Sequence, residues 1–486
     1  MDLKRTLAWT KAHHGTSPNA AEELAMLNDL QGNILKGHGR HFTSNIFLKF
    51  DKKKSSATRK FLASIGHDTT AALDQLIGAT SHKTHGIDAG TFISVFISAA
   101  GYDALEKADA KPKSRAFLDG MHKRDLNDPP SSEWADSFKE MHGMLLVATS
   151  SPEWRDKERD ALLARIKATS GAVQVHGETL EGDALFNKKD KRGIEHFGYV
   201  DGRSQPLVLQ EDIDREAANA PTQPQPHWDP TIFLDQLLVP CPGGRLGVSF
   251  GSYFVIRKLE QRVKDFKEAE EALGESLDAE AAQGGSQEKV GERAGASVVG
   301  RFENGTPVTY SKEQVELTAP NDDAIKNQFD YSNDKQGLKC PFVAHIRKTN
   351  PRADTPDSKS HLMARRGIPY GHRDDHPNDD VSEKTPNAGV GLIFMAYQAD
   401  LENQFEFIQS SWANNSNFAR PLVTPGPETG IDPVIGQGPD GDPVQLYPLE
   451  WDVKLSSISR DFSGFVEMKG GEYLFAPSIS FLKSLH

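Results

Sequence analysis

Residues 43–50 read Thr-Ser-Asn-Ile-Phe-Leu-Lys-Phe, a mixture of apolar and polar positions that predicts a half-buried β-strand. Thr91–Ser98 (TFISVFIS) and Met144–Thr149 (MLLVAT) are β-rich runs of the same kind. Between them lie polar stretches rich in Ala, Lys and Leu. Arg59–Leu76 and Gly101–Ala108 carry helical spacing, and Trp154–Lys167 follows the third run. Strands alternating with helices, without a Gly-x-Gly-x-x-Gly turn, predict an α+β sheet with helices on one face rather than a dinucleotide-binding fold.

Further along, Glu211–Pro230 (EDIDREAANAPTQPQPHWDP) holds four prolines and reads as a loop. It is the clearest boundary, dividing the chain into residues 1–220 and 221–486. In the second part Gly251–Arg257 reads as a strand running into a helix, whose apolar residues Leu259, Val263, Phe266 and Leu273 recur at spacings of four, three and seven. Glu275–Arg293 is acidic and Gly-rich, a solvated insertion. Gly391–Tyr397 (GLIFMAY) is a wholly apolar strand leading into a helix over Leu401–Trp412. Both parts show strand, helix, strand, although no sequence repeat proves a duplication.

Composition narrows the function. The 486 residues include 56 Lys and Arg against 69 Asp and Glu, a net charge of −13, which argues against attachment to nucleic acid or an anionic membrane through the overall field. With 37% hydrophobic and 26% charged residues, the composition is that of a soluble globular chain. The longest apolar stretches, Met144–Ala148 and Gly391–Tyr397, fall far short of the roughly 20 residues needed to span a bilayer. Two cysteines, Cys241 and Cys340, exclude a Cys-rich metal site and leave one disulfide open. The opening MDLKRTLAWTKAHHG has no apolar signal segment, so the expectation is a cytoplasmic protein, or a secreted one already processed.

Four clusters carry candidate chemistry, each with an ordinary structural alternative. In His196–Pro206 (HFGYVDGRSQP), Asp201 stands between Gly198 and Gly202, where a tight turn can present a carboxylate to a cavity; a plain Asp-Gly turn is the alternative. In Cys340–Arg352 (CPFVAHIRKTNPR), His345 follows an apolar run. A buried neutral imidazole has a nitrogen free to ligate a metal or haem iron, or else is a satisfied core residue. Met363–Gly371 (MARRGIPYG) runs two arginines into a turn, or sets a charge pair on the surface. Last, GLIFMAYQAD ends in Asp400, which also sits where a helix N-cap belongs.

In their order and wording these blocks resemble the dye-decolourising peroxidase family of haem enzymes: GYVDG, HIRKTNPR, RRGIPYG and GLIFMAYQAD, with LNDLQGNILKGHGRH (Leu27–His41) similar to the family's opening segment. The resemblance implies two ferredoxin-like domains, with one haem b in the C-terminal half. It implies His345 as axial ligand of the haem iron, with Asp400 accepting the ring's other N–H and so strengthening it as a donor. On the opposite face Asp201 is the implied acid/base, and Arg365 the implied donor to the peroxide. Arg366 is the fallback for Arg365, or faces a propionate, and Arg347 is a second propionate partner. Leu392 and Phe394, two apart on a strand, wall the pocket or simply pack the core.

The implied reaction reduces hydrogen peroxide and oxidises dyes, phenolics or similar donors through a ferryl intermediate. Donors too bulky for the pocket direct attention to a surface aromatic for electron transfer, Trp412 first, with Tyr370 and Tyr397. A carboxylate base, with an ordinary pKa near 3.9, predicts turnover highest on the acid side of neutrality. Two other readings stay open: a haem-binding or haem-handling protein without turnover, and a metallohydrolase using His372 and His376 in GHRDDHP. Nothing in the sequence sets an oligomeric state.

Overall fold

A computed structural model describes residues 1–219, 227–283, 293–316, 326–419, 422, 429–437, 445–453 and 457–486. Among them, eleven strands join in one sheet. They are β1 Phe42–Phe50, β2 Phe92–Ser98, β3 Gly143–Thr149, β4 Val173–Val175, β5 Leu180–Asp183, β6 Val239–Pro240, β7 Phe250–Gln261, β8 Ala364–Arg365, β9 Ile368–Tyr370, β10 Gly391–Gln398 and β11 Val466–Ala476. The order across the sheet is β8-β10-β7-β11-β2-β3-β1-β4, with β9 beside β10, β5 beside β1 and β6 beside β7. The strand pairs are antiparallel.

That order contains one pattern twice. In β4-β1-β3-β2 and again in β11-β7-β10-β8, the fourth, first, third and second strands of each half lie side by side, the ferredoxin-like arrangement. The crossovers are helical: Ser55–Asp68 and Ala72–His85 after β1, Pro152–Lys167 after β3, Val263–Gln283 after β7, and Glu402–Ala413 after β10. The halves join where β11 meets β2, through Leu474↔Ser98 and Phe475↔Ile97.

The first strands are not half-buried as their sequence predicts. β2 and β3 are buried at every position, and β1 at all but Phe42 and Lys49. The reason is that the sheet curls until its two halves share one core. Phe96 stacks on Phe254 with ring centres 4.2 Å apart, and Tyr397 lies 6.1 Å from Phe96. A Cβ on Gly182 in β5 would come within 2.6 Å of Ile368 and 3.3 Å of Ile393. Helices therefore cover one face of the first half, and the second half covers the other.

Several boundaries also move. Arg59–Leu76 is two helices, because Thr70 leaves the helical path to pair with Ile93 (Thr70 N to Ile93 O 2.9 Å, Ile93 N to Thr70 Oγ1 3.1 Å). Leu259 belongs to β7, and the following helix starts at Val263. Part of the expected loop is a helix, Gln210–Ala218, with Glu211 and Asp212 in its first turn, where the helix dipole favours acids. The 220/221 boundary lies outside the described residues. So do residues 284–292 of the expected insertion, whose earlier part continues the Val263–Gln283 helix. The segment after Leu401 is π-helical over Glu402–Glu406 and Ile408–Ala413. Cys241 and Cys340 are buried free thiols and do not pair.

Candidate active site

One cavity is lined by His345, Asp201, Arg365, Leu392 and Phe394 together. The buried run Phe342-Val343-Ala344 delivers His345 to the start of a short helix, His345–Thr349. Its Nδ1 lies 3.0 Å from each carboxylate oxygen of Asp432. A carboxylate accepts the Nδ1–H, which fixes the tautomer and leaves Nε2 as the ligating nitrogen. Asp432 is itself fully buried and accepts the backbone N–H groups of Val434 and Ile435, both at 2.8 Å. Burial opposes its charge, but His345 and those two N–H groups outweigh it and hold the carboxyl below its ordinary range.

Asp400 does not hold this position. Its Oδ1 accepts the Asn403 N–H at 3.0 Å, in the first turn of the π-helical segment. The carboxylate behind His345 comes instead from a loop 87 residues downstream. That loop, Gly-Ile-Asp-Pro-Val-Ile, has no spacing that ties it to the histidine. Its one legible feature is an aspartate placed to accept N–H groups two and three residues on.

On the other side, Gly198 and Gly202 both have positive φ, 95° and 73°. A Cβ at Gly198 would also press within 2.9 Å of Pro377 O, so the turn that carries Asp201 needs glycine there. The Asp201 N–H donates to Gly193 O at 3.1 Å, and the side chain is left open to the cavity. Arg365 sits on β8 opposite Ala396 of β10. Its backbone N–H donates to Gln205 Oε1 at 3.1 Å, and its guanidinium donates to Arg203 O. Loss of hydration lowers the Arg365 pKa, and the charge of Asp201 opposes that shift. Arg366 lines the cavity too, but its guanidinium is occupied by the carbonyls of Asn33, Ile34 and Arg365.

Along β10 the burial alternates. Leu392 and Phe394 are half-buried towards the cavity, while Ile393 and Met395 are buried in the core shared by the two halves. Across β10, Leu259 and Arg257 of β7 pair with Leu392 and Phe394 and extend the same wall.

Arg347 lies away from this cavity. Its buried guanidinium is bound by Asp334 and Asp354 at 2.9 and 2.8 Å, donates to Cys340 O at 2.6 Å, and stacks on Tyr331 and Phe342. Two carboxylates already satisfy it and it does not line the cavity, which is against the propionate role expected of it. Other arginines do line the cavity without having stood out in the sequence, and two of them, Arg301 and Arg352, share one partner. Both are buried, and both donate to Ser204 Oγ, at 3.1 and 2.7 Å. Their remaining bonds go to main-chain carbonyls, with no carboxylate paired to either among the described residues. Burial lowers their pKa values, to about 9 for Arg301, where the Arg352 charge adds to the fall, and to about 10 for Arg352, where the Arg365 charge does. Two buried cations with no carboxylate in direct contact among the described residues suit a ligand that brings carboxylates of its own.

Trp412 is not on the surface. It is 7% exposed and packs edge-on against His361 and Phe407, at 5.0 and 5.3 Å. Tyr370 and Tyr397 are buried as well. His372 is exposed beside Asp374, and His376 Nε2 meets Phe186 O; among the described residues no group of three His, Cys, Asp or Glu could hold a metal ion. Nor is any described helix long and apolar enough to cross a membrane.

Residues 243–422 match the family model "Dyp-type peroxidase, C-terminal". Over the whole of both chains, the sequence is 41% identical to the multifunctional dye peroxidase DyP2 of an Amycolatopsis species, whose solved structure superposes with a TM-score of 0.88. Peroxidase 2 of Mycetinis scorodonius is 30% identical over 94% of this chain and 87% of its own. A solved DyP-type peroxidase of Anabaena, 34% identical, matches 96% of each chain with a TM-score of 0.83. By sequence along its whole length and by fold, this chain belongs to the dye-decolourising peroxidases, haem-dependent oxidoreductases that act on hydrogen peroxide.

Proposed function

We propose that the chain binds one haem b between His345 and the Asp201–Arg365 pair, and uses it to reduce hydrogen peroxide while oxidising dyes, phenolics or similar one-electron donors. The observation that carries this reading is His345, held by Asp432 at 3.0 Å, lining the same cavity as Asp201 and Arg365. The cavity fits the group in three respects: an imidazole with one nitrogen free, the apolar wall of Leu392 and Phe394, and two buried arginines, Arg301 and Arg352, that call for carboxylates.

Bound haem supplies an iron centre able to exchange electrons singly. His345 presents Nε2, and Asp432 holds the Nδ1 proton, making the imidazole a stronger donor. Asp201 takes a proton from one peroxide oxygen and returns it to the other, which leaves as water. Arg365 donates to the negative charge that develops on oxygen. Leu392 and Phe394 restrict bulk water and large donors.

The test is an absorption spectrum of haem-loaded protein before and after peroxide, for wild type and Asp201→Asn. The variant should keep the Soret band of bound haem yet react with peroxide about 10²–10⁴-fold more slowly. A wild-type rate in the variant would remove Asp201 as the base. Haem bound without any peroxide-driven oxidation of a dye would favour the haem-handling reading.

A further inference from the structure

Lys348 stands one helical turn beyond His345, and its side chain is fully buried. Its ammonium donates to two main-chain carbonyls, Asn415 O and Gly430 O, both at 2.7 Å. It lies 5.6 Å from the Phe418 ring and has no ion pair among the described residues. Asn415 follows the π-helical segment and Gly430 stands two residues before Asp432, whose own N–H donates to Ala413 O at 2.7 Å. An apolar side chain would fill such a place without the cost of burying a charge. What an ammonium adds is a bolt between two segments that hold Asp432, and a positive charge beside a buried carboxylate.

We infer that Lys348 is a positioning and charge-setting residue for the His345–Asp432 pair: it clamps the Asp432 loop to the His345 helix and offsets the negative charge that Asp432 places behind the imidazole. This rests on the reading of His345 as the haem ligand. Burial pushes the ammonium down to about 7 while Asp432 pulls it up, so below neutrality the group carries its charge. With it, Asp432 and Lys348 together are neutral. Without it, a net negative charge remains beside the ligand, which disfavours adding an electron to the bound centre.

The two effects have opposite signs, which makes the inference testable. Loss of the clamp alone would loosen Asp432, weaken the imidazole as a donor, and raise the reduction potential of bound haem. Loss of the charge lowers it. The experiment is spectroelectrochemistry of haem-loaded protein at pH 6 for wild type, Lys348→Gln, Lys348→Arg and Asp432→Asn. Lys348→Gln, which keeps an N–H donor, should shift the potential negative; Lys348→Arg should leave it in place; Asp432→Asn should shift it positive. An unchanged or positive shift in Lys348→Gln, with Asp432→Asn positive, overturns the role of Lys348 alone. No shift in any variant overturns His345 as the ligand as well. Lys348→Met is a second uncharged variant. If neither uncharged variant holds haem while Asp432→Asn does, Lys348 is a structural clamp and the charge assignment is wrong.

Discussion

Arg301 and Arg352 meet at one hydroxyl, Ser204 Oγ, and that meeting is the ground for the role proposed for them toward haem. Two guanidinium groups converging on a single oxygen repel one another, and their other bonds go to neutral carbonyls. A bound dianion relieves this, so Arg352→Leu should weaken haem binding by about 10- to 100-fold, the equivalent of about 1.5–3 kcal/mol for a hydrogen bond to a charged group. Haem titration followed at the Soret band reads this directly, and unchanged affinity would mean that the propionates lie elsewhere. Arg347 shows why the sequence could not make this choice. It stands in the same HIRKTNPR block as Arg352, but two aspartates satisfy it, one of them 13 residues before it. Asp400 and Asp432 differ in the same way: residue type and motif position were legible, but pairing across distant loops was not. Buried carboxylates also set the pH response. Glu472, on β11, accepts N–H groups of Met121 and Tyr473 at 3.0 and 2.8 Å, yet burial raises its carboxyl from 4.5 to about 7. Across that window the unfolded chain releases a proton that the folded chain retains, so stability falls as pH rises, by about 3 kcal/mol in all at about 1.36 kcal/mol per pH unit. Glu472→Gln should flatten the decline in melting temperature between pH 5 and 8; an unaltered slope would assign that decline to other groups.

Strand β10 separates two environments. Its sequence, GLIFMAYQ, is apolar throughout and so reads as a strand without revealing which face meets which. The structure resolves this by pairing β10 with β7, so that Leu392 and Phe394 face the cavity while Ile393, Met395 and Tyr397 face the shared core. Ile393→Ala should therefore cost about 2–5 kcal/mol of stability, since the fully buried site cannot collapse easily. Phe394→Ala should cost less despite deleting more atoms, and should widen the range of donors oxidised. Urea unfolding of the two variants, with turnover of a small phenol and a bulky dye, checks both halves of the statement. Equal destabilisation would mean that Phe394 is core rather than cavity wall. The π-helical turns at Glu402–Ala413 carried no comparable signal, because their apolar spacing fits an α-helix as well.

At the scale of the molecule, the 4-1-3-2 strand order occurs twice, and the open question is whether the two units can exist apart. We propose a division into residues 1–220 and 221–486. The seam between them is short where β11 meets β2, but the shared core behind it is not: Phe96 packs on Phe254, and Gly182 lies against Ile368 and Ile393. The chain's two ends reinforce it. Gln31 donates to both Val95 O and Pro477 O at 2.8 Å, and Asp29 accepts the Ser480 N–H at 2.7 Å. Removing the second unit would expose one edge of β2, a strand buried at every position, together with a face rich in aromatic residues. An uncovered apolar edge strand recruits other chains. Residues 1–220 expressed alone should therefore aggregate or self-associate, while the full chain unfolds in one cooperative step. Sedimentation of the fragment and amide exchange on β2 decide the matter. A soluble monomer with β2 protected would show that the first unit folds independently, and that the shared core stabilises the haem-binding half rather than both.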